Sequence, residues 1–397
     1  MSETLEKRIK KPIRPKEKFL VFGAPPIEDT EIQEVVQSMK TGWLGTGPKV
    51  AAFEASFAIY KGAEFPIAVN SCTAALHLSL LAADLKPGDE VITTPMTFCA
   101  TVNAIIHAGA TPVLADIDPE TLNLDPREVK KKLSPRTKAI LPVHFAGRPC
   151  EMDPLLDLAQ AHDLTLIEDC AHAIETEYHG KKAGTFGDFG CFSFYVTKNV
   201  VTGEGGMILA RREEDAARLK TLALHGMSKD AWKRFSDEGF KHYQVVECGF
   251  KYNMMDLQAA IGIHQLARVE AYWTRREAIW QTYQRRLKHL PIALPSDPAK
   301  NTRHAYHLYT IMVDEAKAGI SRDAFLNRMT AHNIGVGVHY LSLPEHPYYQ
   351  QTFGWNPNDY PHARDVGRQT VSLPISAKLT DEDVEDVLEA VRSSCSA

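Results

Sequence analysis

Short apolar runs alternate with longer amphipathic segments along most of the chain. Apolar runs of strand length lie at 67–70, within 86–95, and at 111–116, 138–144, 164–169, 191–195 and 206–210. Helical patterns lie between these runs, at 71–82, from 96, from 125, from 153 and at 213–224. Because strands and helices alternate with short links, the sequence predicts an α/β fold with a mostly parallel sheet.

The C-terminal part of the chain has a different pattern. A long helical region, in which Arg, Glu and Trp are mixed, runs from about 249 to 290. Beyond it, strands are predicted at 304–309 and 335–340 within a smaller α/β unit. We therefore predict an N-terminal arm at 1–18, a large domain at 19–265 and a small domain at 266–397 that includes the linking helix.

The composition is that of an ordinary soluble globular protein. Of 397 residues, 44% are hydrophobic and 24% are charged. No apolar run reaches the length of about 18 residues that spans a membrane. The first 18 residues carry seven basic and three acidic side chains without an apolar core, so a solvated arm and no secretory signal are expected. A formal net charge of −5 argues against nucleic acid or membrane as a partner.

The cysteine pattern indicates a reducing compartment. The seven cysteines are an odd number without a C-x-x-C pair, which predicts free thiols in a cytoplasm. Cys72, Cys99, Cys170 and Cys191 lie in or beside the candidate motifs, where the ordinary role of a small buried residue is preferred. Neither an H-E-x-x-H motif nor a Cys/His cluster occurs, so no metal site is predicted.

One apolar run ends in a glycine cluster, with a single lysine between them. In residues 191–207, CFSFYVTKNVVTGEGGM, Lys198 follows the predicted strand and precedes three glycines, and Ser193 adds a hydroxyl group. A surface lysine at the end of a strand is the ordinary alternative. The glycines favour a close backbone approach, and burial in a cleft lowers the pKa of an amine enough to make it a nucleophile.

A second motif precedes the lysine in the chain. Residues 164–172, LTLIEDCAH, form a buried-strand pattern that ends in an acid pair, with Asp169 at the carboxyl end. Ligands of open α/β sheets bind beyond the carboxyl ends of the strands. A lysine that holds the cofactor covalently and an aspartate for the pyridinium nitrogen are the pair that pyridoxal phosphate requires.

The helix predicted at 71–82 begins with small polar residues. Ser71 and Thr73 follow the strand at 67–70 directly. A helix N-terminus offers free N–H groups and a favourable dipole end to a phosphate group. The same residue types also serve as ordinary helix caps, so the pattern alone leaves both roles open.

Taken together, these motifs resemble those of the DegT/StrS family of sugar aminotransferases. The resemblance rests on EDCAH at 168–172, FSF at 192–194, KN at 198–199 and GEGGM at 203–207, and it extends from about 22 to beyond 374. It implies a fold type I transferase that depends on pyridoxal phosphate. Within the family, the sequence resembles the aminotransferases that form UDP-4-amino-4-deoxy-L-arabinose.

The resemblance also implies roles for individual residues. Lys198 and Asp169 would be catalytic. Asn253 would reach across a homodimer interface to the partner's cofactor phosphate. The alternative is that Asn253 caps a helix that begins near Met254. The implied cofactor contacts are Ser71, Cys72, Thr73, Phe98, Asp169, His172, Ser193, Lys198 and Asn253. Many relatives carry glycine in place of Cys72, but backbone donors survive that change.

The expected reaction moves an amino group from an amino acid, expected to be glutamate, to a keto sugar nucleotide at carbon 4 of a UDP-sugar. Thr46, Lys229 and His339 are the candidate substrate contacts. Lys229 lies in a basic irregular run, which is usually a solvated loop but would also suit a diphosphate. A histidine such as His339 is more often a satisfied core or surface residue than a catalyst.

The sequence bears differently on several rival functions. In the family members that dehydrate sugars at carbon 3, a histidine stands in place of the lysine. Lys198 is present here, which argues against that reaction. A cysteine desulfurase would need a thiol on a mobile loop, and no convincing one is seen. An aminotransferase of another small ketone, aldehyde or amine remains open, as does a non-catalytic cofactor-binding regulator, although no DNA-binding helix-turn-helix is apparent.

Overall fold

The computed structural model describes residues 12–228 and 243–395. Its strands are β1 Phe65–Val69, β2 Glu90–Thr93, β3 Thr111–Leu114, β4 Thr137–Leu141, β5 Thr165–Asp169, β6 Glu177–Tyr178, β7 Lys181–Lys182, β8 Phe189–Ser193, β9 Gly206–Ala210, β10 Thr302–Arg303, β11 Tyr309–Met312 and β12 Thr370–Leu373.

Helices lie before, between and after these strands. They are α1 Asp29–Thr41, α2 Pro48–Lys61, α3 Cys72–Ala82, α4 Cys99–His107, α5 Pro126–Lys132, α6 Met152–His162, α7 Glu213–Ala223, α8 Asp256–Ala267, α9 Val269–Leu287, α10 Glu315–Ala318, α11 Arg322–Ala331, α12 Pro347–Phe353, α13 Pro361–Gln369 and α14 Asp381–Cys395. Within the described ranges, no helix is both long and apolar enough to cross a bilayer.

A mostly parallel sheet forms the centre of the N-terminal part. In the described chain it has seven strands in the order β1-β9-β8-β5-β4-β2-β3. Only β9 runs against its neighbours, β1 and β8, whereas β8, β5, β4, β2 and β3 pair in parallel. The predicted α/β fold with a mostly parallel sheet is therefore confirmed.

Helix α3 is buried on nearly every side because it lies between the sheet and other helices. It contacts β8 and β9 as well as α4 and α7. Its sequence is accordingly apolar around most of its circumference, and Leu76, Leu78 and Leu80 are almost wholly inaccessible to solvent. This packing fixes the N-terminus of α3 against the edge of the sheet where β5 and β8 end.

The C-terminal part has its own hydrophobic core around the antiparallel pair β11–β12. Trp280 and Tyr283 of α9, Phe325 of α11 and Leu388 of α14 fill that core. The predicted division at 265 remains a prediction. Leu20 also packs into this second core, so the start of the predicted large domain lies against the C-terminal part.

Two predictions of strands in the C-terminal part are wrong. At 304–309 the strand begins only at Tyr309, because the backbone N–H groups of Ala305 and His307 donate to carbonyls of the turn Phe145–Gly147. At 335–340 the chain is extended but finds its partners in separate segments. Gly335 bonds to Leu20, and only a single bridge joins Gly337 to β12.

The N-terminal arm is described from residue 12 onward, and it is not simply solvated there. The guanidinium group of Arg14 lies 2.7 Å from a carboxylate oxygen of Asp383 and 2.7 Å from one of Asp386. The side chain of Asn333 donates to the backbone carbonyl of Arg14 at 2.7 Å. The end of the predicted arm is therefore attached to α14 and to the loop after α11.

Candidate active site

The candidate site lies where β5 and β8 end at the same edge of the sheet. Asp169 is the last residue of β5, and it is paired in register with Cys191 of β8. The chain leaves β8 at Ser193 and turns, with the N–H of Lys198 donating to the carbonyl of Tyr195 at 2.8 Å. The carboxyl edge of a parallel sheet is the usual place for a ligand.

A cleft of about 650 Å³ opens at this edge. Most of the residues that the sequence singled out as cofactor or substrate contacts line it. They are Ser71, Cys72, Thr73, Phe98, Asp169, His172, Ser193, Lys198 and His339. Residues from five separate stretches of the sequence thus meet in one space, which a motif search cannot show by itself.

Asp169 is a buried carboxylate at the carboxyl end of β5. One of its oxygens accepts from the Thr101 hydroxyl at 2.9 Å, and the other accepts from the N–H of Ala171 at 3.1 Å. Burial raises its pKa although these two hydrogen bonds oppose the shift. No lysine or arginine of the described residues forms an ion pair with it, so a positively charged ligand atom would stabilise its ionised form.

The amine of Lys198 is held in the same cleft. Burial lowers its pKa to about 8, against the opposing effects of Cys72 and Asp169. With that pKa, about a tenth of the amine is the free base at pH 7, far more than for an exposed lysine. The side chain therefore has the nucleophilic form that covalent attachment of a carbonyl compound requires.

The N-terminus of α3 forms another wall of the cleft. The Ser71 hydroxyl accepts from the N–H of Ala74 at 3.1 Å, so Ser71 is a helix cap. The N–H groups of Cys72 and Thr73 lie in the first turn, where a helix provides no partner for them. The backbone of Gly206 packs so close that a Cβ atom would lie 2.6 Å from the carbonyl carbon of Ser71.

Two aromatic rings stand at the opening. The side chain of Phe98 is 59% exposed, which is unusual for a phenylalanine and leaves a ring face free for a flat ligand. His339 stacks on Phe22 with ring centroids 5.5 Å apart, and its Nδ1 lies 2.8 Å from the Ser372 hydroxyl. Burial lowers the pKa of His339 to about 4, so it is neutral at pH 7.

Comparison with known proteins assigns the chain to a family. The sequence profile of the DegT/DnrJ/EryC1/StrS aminotransferase family matches residues 25–392. The chain belongs to this aminotransferase family. The spore coat polysaccharide biosynthesis protein SpsC of Bacillus subtilis is 49% identical to this aminotransferase over 375 residues, covering 94% of this chain and 96% of SpsC.

Solved structures agree with the assignment. The pyridoxamine-phosphate form of Spr1654 from Streptococcus pneumoniae has a TM-score of 0.87 and 31% identity, covering 95% of this chain and 97% of Spr1654. A pyridoxal-phosphate form of Spr1654 is equally similar. DesI, solved with its TDP-sugar product, has a TM-score of 0.85 and 30% identity, covering 97% of this chain and 94% of DesI. The cofactor of this sugar aminotransferase is therefore pyridoxal phosphate.

The described residues fit that cofactor. A buried carboxylate without a cation, Asp169, suits a protonated ring nitrogen, and the free face of Phe98 suits a planar ring. The helix N-terminus at Cys72 and Thr73 suits the phosphate group. Lys198 provides the amine on the same cleft. The N-terminus of α3 can be capped and still bind a phosphate. The Ser71 hydroxyl caps the helix, while the backbone N–H groups of Cys72 and Thr73 remain available to the phosphate.

Two residues predicted for the site, Thr46 and Asn253, do not line the cleft in this single chain. The Asn253 side-chain nitrogen donates to the Thr46 hydroxyl at 2.6 Å, which places both outside the cleft. The alternative role of Asn253 as a helix cap is wrong, because α8 begins at Asp256 with Met255 at its N-cap. Lys229 lies outside the described residues.

Thr101 and Tyr340 line the cleft but were missed as site residues. Thr97 and Thr101 are four residues apart in the sequence, and their hydroxyls lie 2.8 Å apart although α4 begins only at Cys99. That spacing beside Phe98 was a signal available in the sequence. No local pattern marks Tyr340, because it enters the site from a segment far from the other motifs.

A buried polar network was also missed. Glu175 forms an ion pair with Arg276 of α9, and the Asn199 side-chain nitrogen donates to Glu175 at 2.8 Å. The Asn199 oxygen faces Nδ1 of His307 at 3.0 Å. Because Asn199 follows Lys198 directly, this network ties the lysine turn to the long helix of the C-terminal part.

The glutamate of the acid pair has a structural role. Glu168 accepts the backbone N–H groups of Gly184, Phe186 and Gly187, and it lies 3.1 Å from Nε2 of His144. With Cys170 these two side chains form the one metal-like cluster within the described residues. Nδ1 of His144 accepts from the N–H of Cys150, so both nitrogens are already in use. The cluster is therefore a hydrogen-bonded support of the sheet edge.

Proposed function

We propose that this enzyme transfers the amino group of glutamate to carbon 4 of a UDP-linked keto sugar. The observation that carries the proposal is the joint presence of Lys198 and Asp169 in one cleft large enough for more than a cofactor. The enzyme would act in the cytoplasm, in a pathway that builds amino sugars for a polysaccharide or lipopolysaccharide.

Lys198 is proposed as the residue that holds the cofactor and moves the proton during transfer. Bound pyridoxal phosphate supplies an electron sink that stabilises negative charge on the carbon that bears the amino group. Burial lowers the pKa of the Lys198 amine to about 8. The amine would take up the proton that leaves this carbon, and it would give a proton back when the amino group passes to the sugar. Asp169 keeps the ring nitrogen protonated, and Thr101 and the N–H of Ala171 orient its carboxylate.

The remaining cleft residues are proposed to bind and orient. Cys72 and Thr73 would hold the phosphate through backbone N–H groups, and Ser193 through its hydroxyl. Phe98 would cover one ring face and His172 would lie beside the ring. His339, near the opening, would contact the sugar nucleotide.

A second subunit is proposed to complete the site. Asn253 and Thr46 are bonded to each other, and the Asn253 oxygen is buried without a hydrogen-bond partner among the described residues. An unsatisfied buried oxygen is costly, so the Asn253 amide is not fully paired within one chain, and only its N–H groups could serve a phosphate. In a symmetric homodimer each Asn253 would serve the other subunit's cofactor phosphate, with Thr46 on the substrate side.

The substrate class has support of two kinds. SpsC takes part in spore coat polysaccharide biosynthesis, and DesI is known with a TDP-sugar product. The preference for UDP and for carbon 4 rests on the similarity to the aminotransferases that form UDP-4-amino-4-deoxy-L-arabinose. Lys229 and its basic neighbours are proposed to meet the diphosphate.

The test is a panel of UDP-, dTDP- and GDP-linked 4-keto sugars with glutamate as the donor. Formation of 2-oxoglutarate and of the amino sugar, followed by mass spectrometry, would support the proposal, with UDP-sugars turned over fastest. Turnover of simple ketones or aldehydes but not of any sugar nucleotide would contradict it. A protein that binds the cofactor but releases no 2-oxoglutarate would be a regulator instead.

A further inference from the structure

The hydrogen bonds of His172 determine which of its ring nitrogens carries the proton. The backbone N–H of Ala146 lies 3.2 Å from Nδ1 of His172, and a backbone N–H can only donate. Burial holds the pKa of His172 well below its usual range, so the ring is neutral. A neutral ring with an accepting Nδ1 carries its proton on Nε2.

That proton points to Tyr340. Nε2 of His172 lies 3.2 Å from the Tyr340 hydroxyl, and the two rings are within 15° of parallel. Nε2 therefore donates and the phenolic oxygen accepts. Burial raises the pKa of Tyr340, so the phenol keeps its own proton. In the part of the chain that the structure describes, no side chain or carbonyl accepts that proton, and Tyr340 lines the same cleft as Lys198.

The turn that presents the Ala146 N–H is held from several sides. Ala146 has φ 57° and ψ 3°, a left-handed conformation that is uncommon for alanine. Its carbonyl accepts the N–H of His307 at 3.1 Å, and the preceding N–H of Phe145 donates to Asn123 at 2.9 Å. Strained backbone of this kind persists where its surroundings over-determine it. The direction of the N–H, and with it the tautomer of His172, is therefore fixed before a ligand binds.

We propose that the Tyr340 hydroxyl donates a hydrogen bond to an oxygen of the acceptor sugar at or beside the reacting carbon. His172 is the positioning residue that keeps this hydroxyl oriented as a donor. The inference rests on the proposed function and adds a specificity-determining contact to it. A sugar oxygen suits this donor better than the carboxylate of the amino-acid donor, because Tyr340 and His172 are both neutral and a carboxylate prefers a cation.

The experiment measures the two halves of the reaction separately. The holoenzyme is first mixed with glutamate alone, and its absorbance change reports amino-group uptake. Enzyme preloaded with the amino group is then mixed with the best keto sugar of the panel. Tyr340→Phe should lower kcat/KM for the sugar about ten- to hundredfold, because a buried substrate oxygen loses its donor, and should change uptake from glutamate by less than about threefold.

Matched variants separate this contact from a general loss of packing. Tyr349→Phe removes a buried tyrosine hydroxyl that donates to Asn103 at 2.7 Å away from the cleft, and both half-reactions should stay near wild type. His172→Gln supplies an acceptor and a donor and should retain most of the sugar half-reaction. His172→Leu supplies neither and should lose it as Tyr340→Phe does.

Four results would overturn the inference. Equal slowing of both half-reactions by Tyr340→Phe would mean that the tyrosine supports the cofactor or the fold, and no slowing would mean that it touches no substrate. Slowing of the glutamate half alone would assign the contact to the donor carboxylate. If the wild type takes up the amino group but passes it to no keto sugar, the proposed function itself fails, and the sugar contact falls with it.

Discussion

A second buried lysine, Lys61, allows the free-energy cost of a buried charge in this fold to be measured. It ends α2 and is 3% exposed. Its amine donates to the carbonyl of Ile174 at 3.0 Å and lies 4.7 Å from the ring centre of Phe192. No carboxylate of the described residues forms an ion pair with it. Burial lowers its pKa to about 8 from the ordinary 10.5, with Cys170, Glu168 and Glu175 opposing the shift and Lys182 adding to it.

The magnitude and sign follow from linkage. Between pH 8 and 10.5 the unfolded chain binds a proton at Lys61 that the folded chain has released, so stability rises with pH in that window. At about 1.4 kcal/mol for each pKa unit, the penalty for the buried charge is about 3 kcal/mol at pH 7 and about 1 kcal/mol at pH 10. Lys61→Met removes this dependence.

The assay is urea unfolding of the two holoenzymes at equal protein concentration from pH 7 to pH 10. The wild type should gain about 2.5 kcal/mol relative to Lys61→Met across that range, because all other titrating groups cancel in the difference. Lys288→Met, which likewise removes a lysine but an exposed one, is the matched control variant. A pH-independent difference for Lys61→Met would refute the reasoning, since it would mean that Lys61 titrates alike in both states.

Three further predictions concern the site and its supports. Asp169→Asn should keep the fold, measured by circular dichroism, and slow transamination at least about a hundredfold, because an amide cannot stabilise a charged ring nitrogen; near-normal turnover would exclude the role. Arg276→Met should lower the free energy of unfolding by about 3–5 kcal/mol, because it leaves Glu175 buried and unpaired. Arg286→Met, which breaks an exposed ion pair with Glu385, should lower it by less than about 1 kcal/mol. Mixed dimers of Lys198→Ala and an inactive Asn253 variant should be more active than either parent; no gain despite proven subunit exchange would reject a shared site.

Sequence reasoning was most successful where chemistry and chain are contiguous. The strand that ends in Asp169, the turn that carries Lys198 and the helix that begins after Ser71 are each set by residues within one short stretch. Their order along a parallel sheet brings their ends together, because the carboxyl ends of parallel strands share one edge. The cleft and its main residues could therefore be predicted.

What the sequence did not predict depends on contacts between distant segments. Residues 335–340 have the alternating pattern of a strand, yet their partners come from the N-terminal segment, from β12 and from Met96, which lies between β2 and α4. Tyr340 reaches the cleft only through that path. The proton position on His172 depends on a backbone N–H at Ala146, and a sequence pattern carries no information on a bond of that kind.

Lys198 is the residue proposed to hold the cofactor of this aminotransferase. The most direct measurement is borohydride reduction of the yellow holoenzyme, followed by proteolysis and mass spectrometry of the lysine-containing peptides. We predict that the reduced cofactor is found on the peptide that contains Lys198 and on no other, and that Lys198→Ala protein retains no covalently bound cofactor. Labelling of Lys61 or of any other lysine in the wild type, with Lys198 unmodified, would contradict the account.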